Sequence, residues 1–573
     1  MKSKKKSFFF EDYKESEIIY NKKSFNSPKI SLNRISFLFF IFFSLMTIFS
    51  IKLIYLSLFT EKNIFSQKNK QSFVNTRADI VDRNGVILAR NTNVYTAGIR
   101  PKFIKNKEKF LINLRLKFPE LNVNEIEQKL KKGKFFYIGN KRLTERDKDN
   151  LWELGLSSKV LEIQKKQYRI YPQKNLFSHV LGQTDEDNQG ISGIEKFYNN
   201  ELGDNTKIHI PLSLTLDSNL QYLIREELIN SQSDFNYIGS AAILMNVENG
   251  EILSLVSLPD YDLNKRTSIN SDKYTNKITL GVYELGSVFK TFTIAAGLEN
   301  EIINPNTTFQ NLEDSLTCGK YKIHEHDKMP KNLSTEDILI RSSNIGAVRI
   351  AQKVGMKKFK DFLNSLDLLN KINFELEEVG TPLSFNWGKC KLATTAYGHG
   401  ITTTPLQLAK AYSMLINGGY KIQPSIVKKT QKIFEKKEKI ISEKTSDAIN
   451  QMLRKVVSLN EGTANFADVE GYNVGGKTGT ALKYNSKAKL NTFVSMFPAN
   501  RPKYLLLVML DEPQPAPNFV YEFPPNEKFP EGYKYKGEKR NTSGWNTVVV
   551  AGQIIKKIGP ILAINNLQAS KNF

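Results

Sequence analysis

The stretch Glu284-Leu-Gly-Ser-Val-Phe-Lys-Thr-Phe-Thr-Ile-Ala-Ala-Gly-Leu298 has the composition of a buried helix, with Phe289, Phe292, Ile294, Ala295 and Leu298 at rough helical spacing. Lys290 is the one cation in it. An ammonium withdrawn from water must find a partner or give up its proton. On a helix opening at Ser287, the serine and Lys290 stand three positions apart on one face, within hydrogen-bond reach. Burial would lower the lysine pKa and supply a neutral amine as base. The helix N-terminus would favour negative charge developing at the serine. The same Ser-x-x-Lys spacing recurs at Ser3, Ser425 and Ser486. Those positions lie in a basic tail, after Pro424 in a predicted strand, and in a polar run, so Ser287 alone opens an apolar helix.

Two further patterns lie downstream. Arg341-Ser-Ser-Asn-Ile-Gly346 contains Ser342-x-Asn344, a spacing that also occurs at Ser24, Ser31, Ser268, Ser384, Ser458 and Ser570 and is weak in isolation. Lys477-Thr478-Gly479 occurs once, inside Tyr472-Asn-Val-Gly-Gly-Lys-Thr-Gly-Thr-Ala481. That is a glycine-rich strand on which missing side chains let another backbone approach closely. Taken singly, each residue has an ordinary structural reading: Ser287 as a helix cap, Ser342 and Asn344 as turn residues, Lys477 as a charge on a sheet edge. Taken in order, they supply a hydroxyl beside a buried amine, a second short polar pair, and a cation on a glycine-rich strand.

The chain of 573 residues is long enough for at least two domains. Its net charge of +24 comes from lysines spread along the whole length, not gathered on one stripe, so no nucleic-acid groove is expected. Residues 1–34 hold nine Lys or Arg against four Asp or Glu and precede an uncharged apolar run from Ile35 to Ser50 that resumes after Lys52 through Phe59. This is the roughly 20 residues that a bilayer core needs. Residues 35–58 therefore read as a single transmembrane helix, with 1–34 a basic cytoplasmic tail and the rest outside the cytoplasm. A cleaved leader fits poorly, because the basic segment is long and no small-x-small site follows. Cys318 and Cys390 leave a disulfide or two buried thiols equally open, and Cys318 with His324, His326 and Asp327 matches no zinc spacing. No metal or cofactor is expected.

Past the membrane segment, Asn84-Gly85 between apolar stretches marks a hairpin within residues 77–100. Helical pieces such as Asn124–Leu130 follow. Asp217 or Ser218 can cap a new helix, and Ala241–Val247, Asn249-Gly250 and Glu251–Val256 form a second hairpin. Helices dominate from 284 to about 420, and strands return at 472–511. Helices inserted between early and late strands of one antiparallel sheet make the simplest α+β arrangement.

The order Ser287-x-x-Lys290, Ser342-x-Asn344, Lys477-Thr478-Gly479 is the signature set of penicillin-binding proteins and serine β-lactamases. With Asp82–Gly85, Arg169-x-Tyr-Pro172, Gly193–Glu195, Tyr397-Gly-His-Gly400 and Thr404–Leu408, the chain from Arg77 to about Ile558 resembles a class B penicillin-binding protein, a membrane-anchored peptidoglycan D,D-transpeptidase. It departs at Phe493-Val-Ser-Met-Phe-Pro498, where the family commonly has a glycine between the phenylalanines. The His399-Gly400 pair and Trp545–Val548 resemble the cell-division (septal) type more than the elongation type. A catalytically silent division scaffold and a β-lactam hydrolase or sensor are the alternatives; a hydrolase would need an additional acidic motif to activate water, and none is apparent in the sequence.

The resemblance implies a pedestal (dimerisation-type) domain over 59–210 and a transpeptidase domain over 211–573. It implies that Ser287 attacks the D-Ala-D-Ala carbonyl of a stem peptide, that Lys290 takes its proton, that Ser342 relays it, and that Asn344 holds Lys290 and the substrate amide. Lys477, Thr478, Gly479 and Thr480 would bind the terminal carboxylate, with the N–H groups of Ser287 and Thr480 as oxyanion hole. An acceptor amine would then receive the acyl group, β-lactams would bind as substrate mimics, and His399 would be structural. The implied setting is the inner membrane with a periplasmic catalytic domain, beside a polytopic glycan polymerase and other division proteins.

Overall fold

The computed structural model describes residues 14–20, 23–29, 32–59 and 76–571, apart from 139–142, 266–271, 320, 430–437, 484–485, 524 and 526–528. The first thirteen residues of the basic tail, Ser3 among them, lie outside the described residues. The chain divides into two compact units, residues 1–74 and 75–573. In the first, Lys14–Tyr20 pairs antiparallel with Lys23–Lys29, and a helix runs from Leu32 to Phe59. Its segment Ser36–Tyr55 has a mean hydropathy of 2.3 and buries none of its surface in protein, as a lipid-facing helix should.

The second unit contains two hydrophobic cores. The smaller gathers Tyr95, Ile99, Phe110, Leu114, Phe118, Ile126, Leu151 and Leu161. It is built on the long strand Ile87–Ile99, which pairs antiparallel with Leu161–Ile170, and on the helices Lys107–Lys117 and Val123–Lys132. The turn at Asn84-Gly85 joins Ile80–Val81 to that strand, with Gly85 at φ +85°, the conformation glycine adopts without strain. Ala78, Ile80, Leu88, Tyr171, Phe177 and Ile194, although they belong to the N-terminal part, pack into the larger core together with the five-stranded sheet described next.

The larger core is α+β. Helix α1 (Ser218–Asn230) is capped by the Asp217 carboxylate, which accepts from the N–H groups of Asn219 and Leu220. Strands β1 (Gly239–Asn246) and β2 (Ile252–Leu258) form the second hairpin. Helices α2 (Lys290–Glu299), α3 (Asn344–Val354), α4 (Pro405–Ile416) and α5 (Glu443–Ser458) follow. Then come β3 (Gly475–Leu482), β4 (Lys489–Phe497), β5 (Tyr504–Asp511) and α6 (Thr547–Lys571). The sheet order is β3-β4-β5-β1-β2, antiparallel throughout. Strands β2 and β5 are buried at every position, so helices cover both faces of the sheet. Helix α6 is apolar enough to resemble a membrane span, yet 61% of its most apolar window is buried, which makes it a core helix.

The stretch read as helical also holds a small hairpin, Ser315–Cys318 paired with Tyr321–His324, which Cys318 joins by a disulfide to Cys390 in the helix Lys389–Thr395. Four-residue strands carry too little periodicity to stand out in sequence.

A buried ion cluster ties the N-terminal segments together. Glu195, fully buried, receives Arg77 Nε at 3.0 Å on one carboxylate oxygen and Arg169 Nε at 2.7 Å on the other. Arg77 also donates to the Asn188 and Glu195 carbonyls. Glu195→Gln leaves two buried guanidinium groups facing a neutral amide, so a loss of about 3–5 kcal/mol of stability is expected. Chemical denaturation checks it, and an unchanged midpoint refutes it.

Candidate active site

Three segments distant in sequence meet beside β3. A 3-10 turn, Gly286–Phe289, carries Ser287, and α2 starts at Lys290, so the expected helix opening at Ser287 is realised as a tighter first turn. Gly286 has φ +65°, and a Cβ there would lie 2.6 Å from the Thr480 carbonyl oxygen, so only glycine lets the Ser287 turn seat against β3. The Tyr412 hydroxyl, 2.6 Å from the Val288 carbonyl and 2.8 Å from Thr291 Oγ1, anchors the turn from α4.

Lys290 is wholly buried, and its Nζ lies 3.0 Å from Ser287 Oγ and 3.0 Å from Ser342 Oγ, with a further short bond to the Ser342 carbonyl. Burial, and next the Lys477 charge, push its pKa well below the ordinary lysine value, with Glu325 pulling the other way. A neutral amine has two N–H bonds and one lone pair. As an ammonium, Lys290 donates to Ser287 Oγ, Ser342 Oγ and the Ser342 carbonyl; in the neutral form two N–H bonds suffice for Ser342, and the lone pair can face the Ser287 hydroxyl. Ser342 takes the left-handed conformation, φ +62°, rare for a serine.

Asn344 sits beside this group but does not hold Lys290. Its Nδ2 donates to the His324 carbonyl at 2.7 Å, and its buried Oδ1 has no hydrogen-bond partner among the described residues. Among the described residues the expected contact with Lys290 is not made, because the hairpin's last residue, His324, takes the Asn344 amide N–H on its carbonyl and fixes the side chain there.

On β3, Lys477 is also fully buried, and burial brings its pKa down from 10.5 to about 7. Its Nζ reaches only the Thr478 carbonyl, at 3.4 Å, and Thr478 Oγ1, at 3.3 Å, among the described residues. Thr478 Oγ1 is 2.8 Å from Thr463 Oγ1, and Thr480 Oγ1 accepts from the Ser543 N–H at 3.0 Å. A Cβ on Gly479 would lie 2.3 Å from the Leu285 carbonyl, so this glycine serves the same close approach as Gly286. All eight residues singled out in sequence thus lie on the three segments that converge here.

Sequence reading missed Glu325 and weighed His326 only as a zinc ligand. Glu325 accepts from Ser343 Oγ and from the Asn344 and Ile345 N–H groups, while His326 Nε2 is 3.3 Å from the Ser342 carbonyl. Desolvation, followed by the Lys290 and Lys477 charges, pushes the His326 pKa down to about 4. Neither residue belongs to a repeating pattern, and only the proximity of the short hairpin to α3 gives them a role. A cavity of about 310 Å³ borders this segment through His324, Glu325 and Asp327, but none of the eight motif residues lines it. His399 lies at another rim, its Nδ1 3.0 Å from Glu284, whose hydrogen bond raises the imidazole pKa.

A penicillin-binding protein transpeptidase domain model matches residues 240–522, and a penicillin-binding protein dimerisation domain model matches residues 73–209. The chain belongs to the penicillin-binding proteins. It is 29% identical to the probable peptidoglycan D,D-transpeptidase FtsI of Caulobacter vibrioides over 513 residues, covering 86% of this chain and 82% of that one. It is 31% identical to the stage V sporulation protein D of Bacillus subtilis, covering 76% and 74%. The fold is that of penicillin binding protein 3 from Mycobacterium tuberculosis in complex with aztreonam, with a TM-score of 0.64 at 20% identity over 86% of this chain and 96% of that one. Within this penicillin-binding protein, the three converging segments all fall inside the transpeptidase match.

The buried Lys477 charge opposes folding wherever the lysine is protonated in the folded state. Because its folded pKa is depressed, that penalty is full below about pH 7 and is relieved as pH rises from 7 toward 10.5. Lys477→Met should accordingly gain stability relative to wild type at pH 6. The advantage should shrink by roughly 4 kcal/mol toward pH 10, because each step of one in pH across that window is worth about 1.4 kcal/mol. Urea melts across that range test it, and a pH-independent difference would contradict a buried, titrating Lys477.

Proposed function

We propose that this penicillin-binding protein cross-links peptidoglycan stem peptides through an acyl-enzyme on Ser287. It is a class B, septal-type peptidoglycan D,D-transpeptidase, a serine acyltransferase, as its FtsI-named relatives and its transpeptidase domain indicate. The observation that carries the residue assignment is the Lys290 amine, buried and 3.0 Å from Ser287 Oγ. In the proposed cycle Lys290 takes the hydroxyl proton as Ser287 Oγ bonds to the carbonyl carbon between the two terminal D-alanines. The proton passes through Ser342 to the leaving D-alanine amine, and the acyl group stays on Ser287. An acceptor amine from a neighbouring stem peptide then attacks that ester, gives up a proton, and returns Ser287 to its hydroxyl form.

Lys477, Thr478, Gly479 and Thr480 bind the terminal carboxylate in this reading, and burial makes the Lys477 cation await an anion. The Ser287 and Thr480 N–H groups form the oxyanion hole, worth roughly 10²–10³ in rate per donor. Asn344, whose buried Oδ1 has no internal partner, offers that oxygen to the substrate amide. A β-lactam enters as a strained copy of the same amide. An elongation-type enzyme or a silent scaffold is less well supported, since the relatives carry the septal name and all three motifs are intact.

We further place residues 1–34 in the cytoplasm, 35–58 across the inner membrane, and the pedestal (59–210) and transpeptidase domain (211–573) in the periplasm. The glycan polymerase and other division proteins are the proposed partners of the anchor and pedestal.

Full-length protein in detergent should label covalently with a fluorescent penicillin at Ser287, while folded Ser287→Ala should not. Lys290→Arg keeps a cation but removes the titratable amine, so its acylation rate should fall by orders of magnitude. Wild-type labelling of Ser287→Ala would sink the nucleophile assignment. For the partners, exchanging residues 1–58 for an unrelated single-span anchor should preserve penicillin labelling yet give filamentous cells on complementation. Normal septation by that chimera would reduce the native helix to a tether.

A further inference from the structure

The start of α3 is held by a strap of three residues, His324-Glu325-His326, that leaves the disulfide-linked hairpin. The Glu325 carboxylate takes three donors from it. Its Oε1 accepts from Ser343 Oγ at 2.6 Å and from the Ile345 N–H at 2.9 Å, and its Oε2 accepts from the Asn344 N–H at 2.7 Å. Two of these are N-terminal helix donors that have no partner within the helix, and an anion is favoured at that end. The His324 carbonyl takes Asn344 Nδ2 at 2.7 Å, and His326 Nε2 lies 3.3 Å from the Ser342 carbonyl. Each residue from Ser342 to Ile345 is therefore bonded to the strap. The strap is backed by the Cys318–Cys390 disulfide to the helix Lys389–Thr395.

Ser342 keeps φ +62°, a conformation that persists only where the surroundings enforce it. From it, both its carbonyl and its hydroxyl reach the Lys290 amine. We propose that Glu325 is a positioning residue for acyl transfer: by clamping the first residues of α3, its carboxylate holds Ser342 where carbonyl and hydroxyl together orient the Lys290 amine toward Ser287. The inference rests on reading the site as a serine acyltransferase.

Both carboxylate oxygens act as acceptors, so an amide cannot replace them. Glu325→Gln must turn an NH2 group toward an N–H or O–H donor and lose part of the clamp. Glu325→Asp keeps the charge on a stem one methylene shorter, too short to serve all three donors in place. The variants also differ electrostatically. The groups that act on Lys290 are Lys477 from β3, which lowers its pKa, and Glu325, which raises it, while His326 of the strap is held neutral by burial and by the two lysines. Removing the Glu325 charge lets Lys290 lose its proton at lower pH.

The test is the rate constant of acylation by a fluorescent penicillin, measured against pH on full-length wild type, Glu325→Gln and Glu325→Asp. Rate constants are read on the molecules that label, so unfolded material lowers the amplitude only. Both variants should lose on the order of 10²-fold in plateau rate, the scale of an ångström of misplacement. The acid limb should move to lower pH in Glu325→Gln and stay with wild type in Glu325→Asp. A wild-type plateau rate in either variant overturns the proposal. So does a slowed Glu325→Gln with an unmoved acid limb, which would assign Glu325 to packing alone. If Glu325→Gln does not fold, the Glu325→Asp rate decides. Wild type that fails to label overturns the acyltransferase reading and this inference with it, whereas labelled wild type beside an indifferent Glu325→Gln overturns only the inference.

Discussion

Two lysines, Lys290 and Lys477, are buried completely at one site, and neither forms an ion pair with a carboxylate among the described residues. Withdrawing two ammonium groups from water to within mutual electrostatic range is unfavourable twice over, by desolvation and by repulsion. The chain tolerates it by letting their pKa values fall, Lys477 to about 7 and Lys290 well below its ordinary value. In the proposed cycle the same burden is the source of reactivity: a lysine that resists protonation is suited to act as base beside Ser287, and a buried lysine near its titration point would be stabilised by an arriving carboxylate.

Such a pair can persist only on a rigid support, and the surrounding architecture supplies one. The five-stranded sheet is covered on both faces, so β3 cannot shift without disturbing a filled core. Gly286 and Gly479 remove the side chains that would otherwise separate the Ser287 turn from β3, and a Cβ at either would collide with backbone. From the third direction, the strap fixes Ser342 and Asn344.

The N-terminal part is less separate than its sequence suggests. Residues 95–163 have their own core, whereas Ala78, Ile80, Leu88, Tyr171 and Ile194 pack into the catalytic core. The strand Ile87–Ile99 therefore begins in one core and ends in the other. A load placed on the smaller core has a continuous strand along which to reach the larger one.

Sequence by itself determined the features whose cause is local. Asn84-Gly85 and Asn249-Gly250 each set a hairpin because glycine accepts positive φ, and Asp217 set the start of α1 because its carboxylate caps the first N–H groups. The apolar run before residue 60 set a helix long enough to cross a bilayer. Motif order also placed Ser287, Lys290, Ser342, Asn344 and the strand from Lys477 to Thr480, since each pattern is a few residues long and carries its own chemistry. Tertiary structure alone decided that Cys318 pairs with Cys390, that Asn344 turns to the His324 carbonyl instead of Lys290, and that Glu325 and His326 join the site. These contacts link residues from 16 to 72 positions apart. Their partners are chosen by which surfaces the packed core brings together, and no periodicity or turn signal in the sequence records that choice.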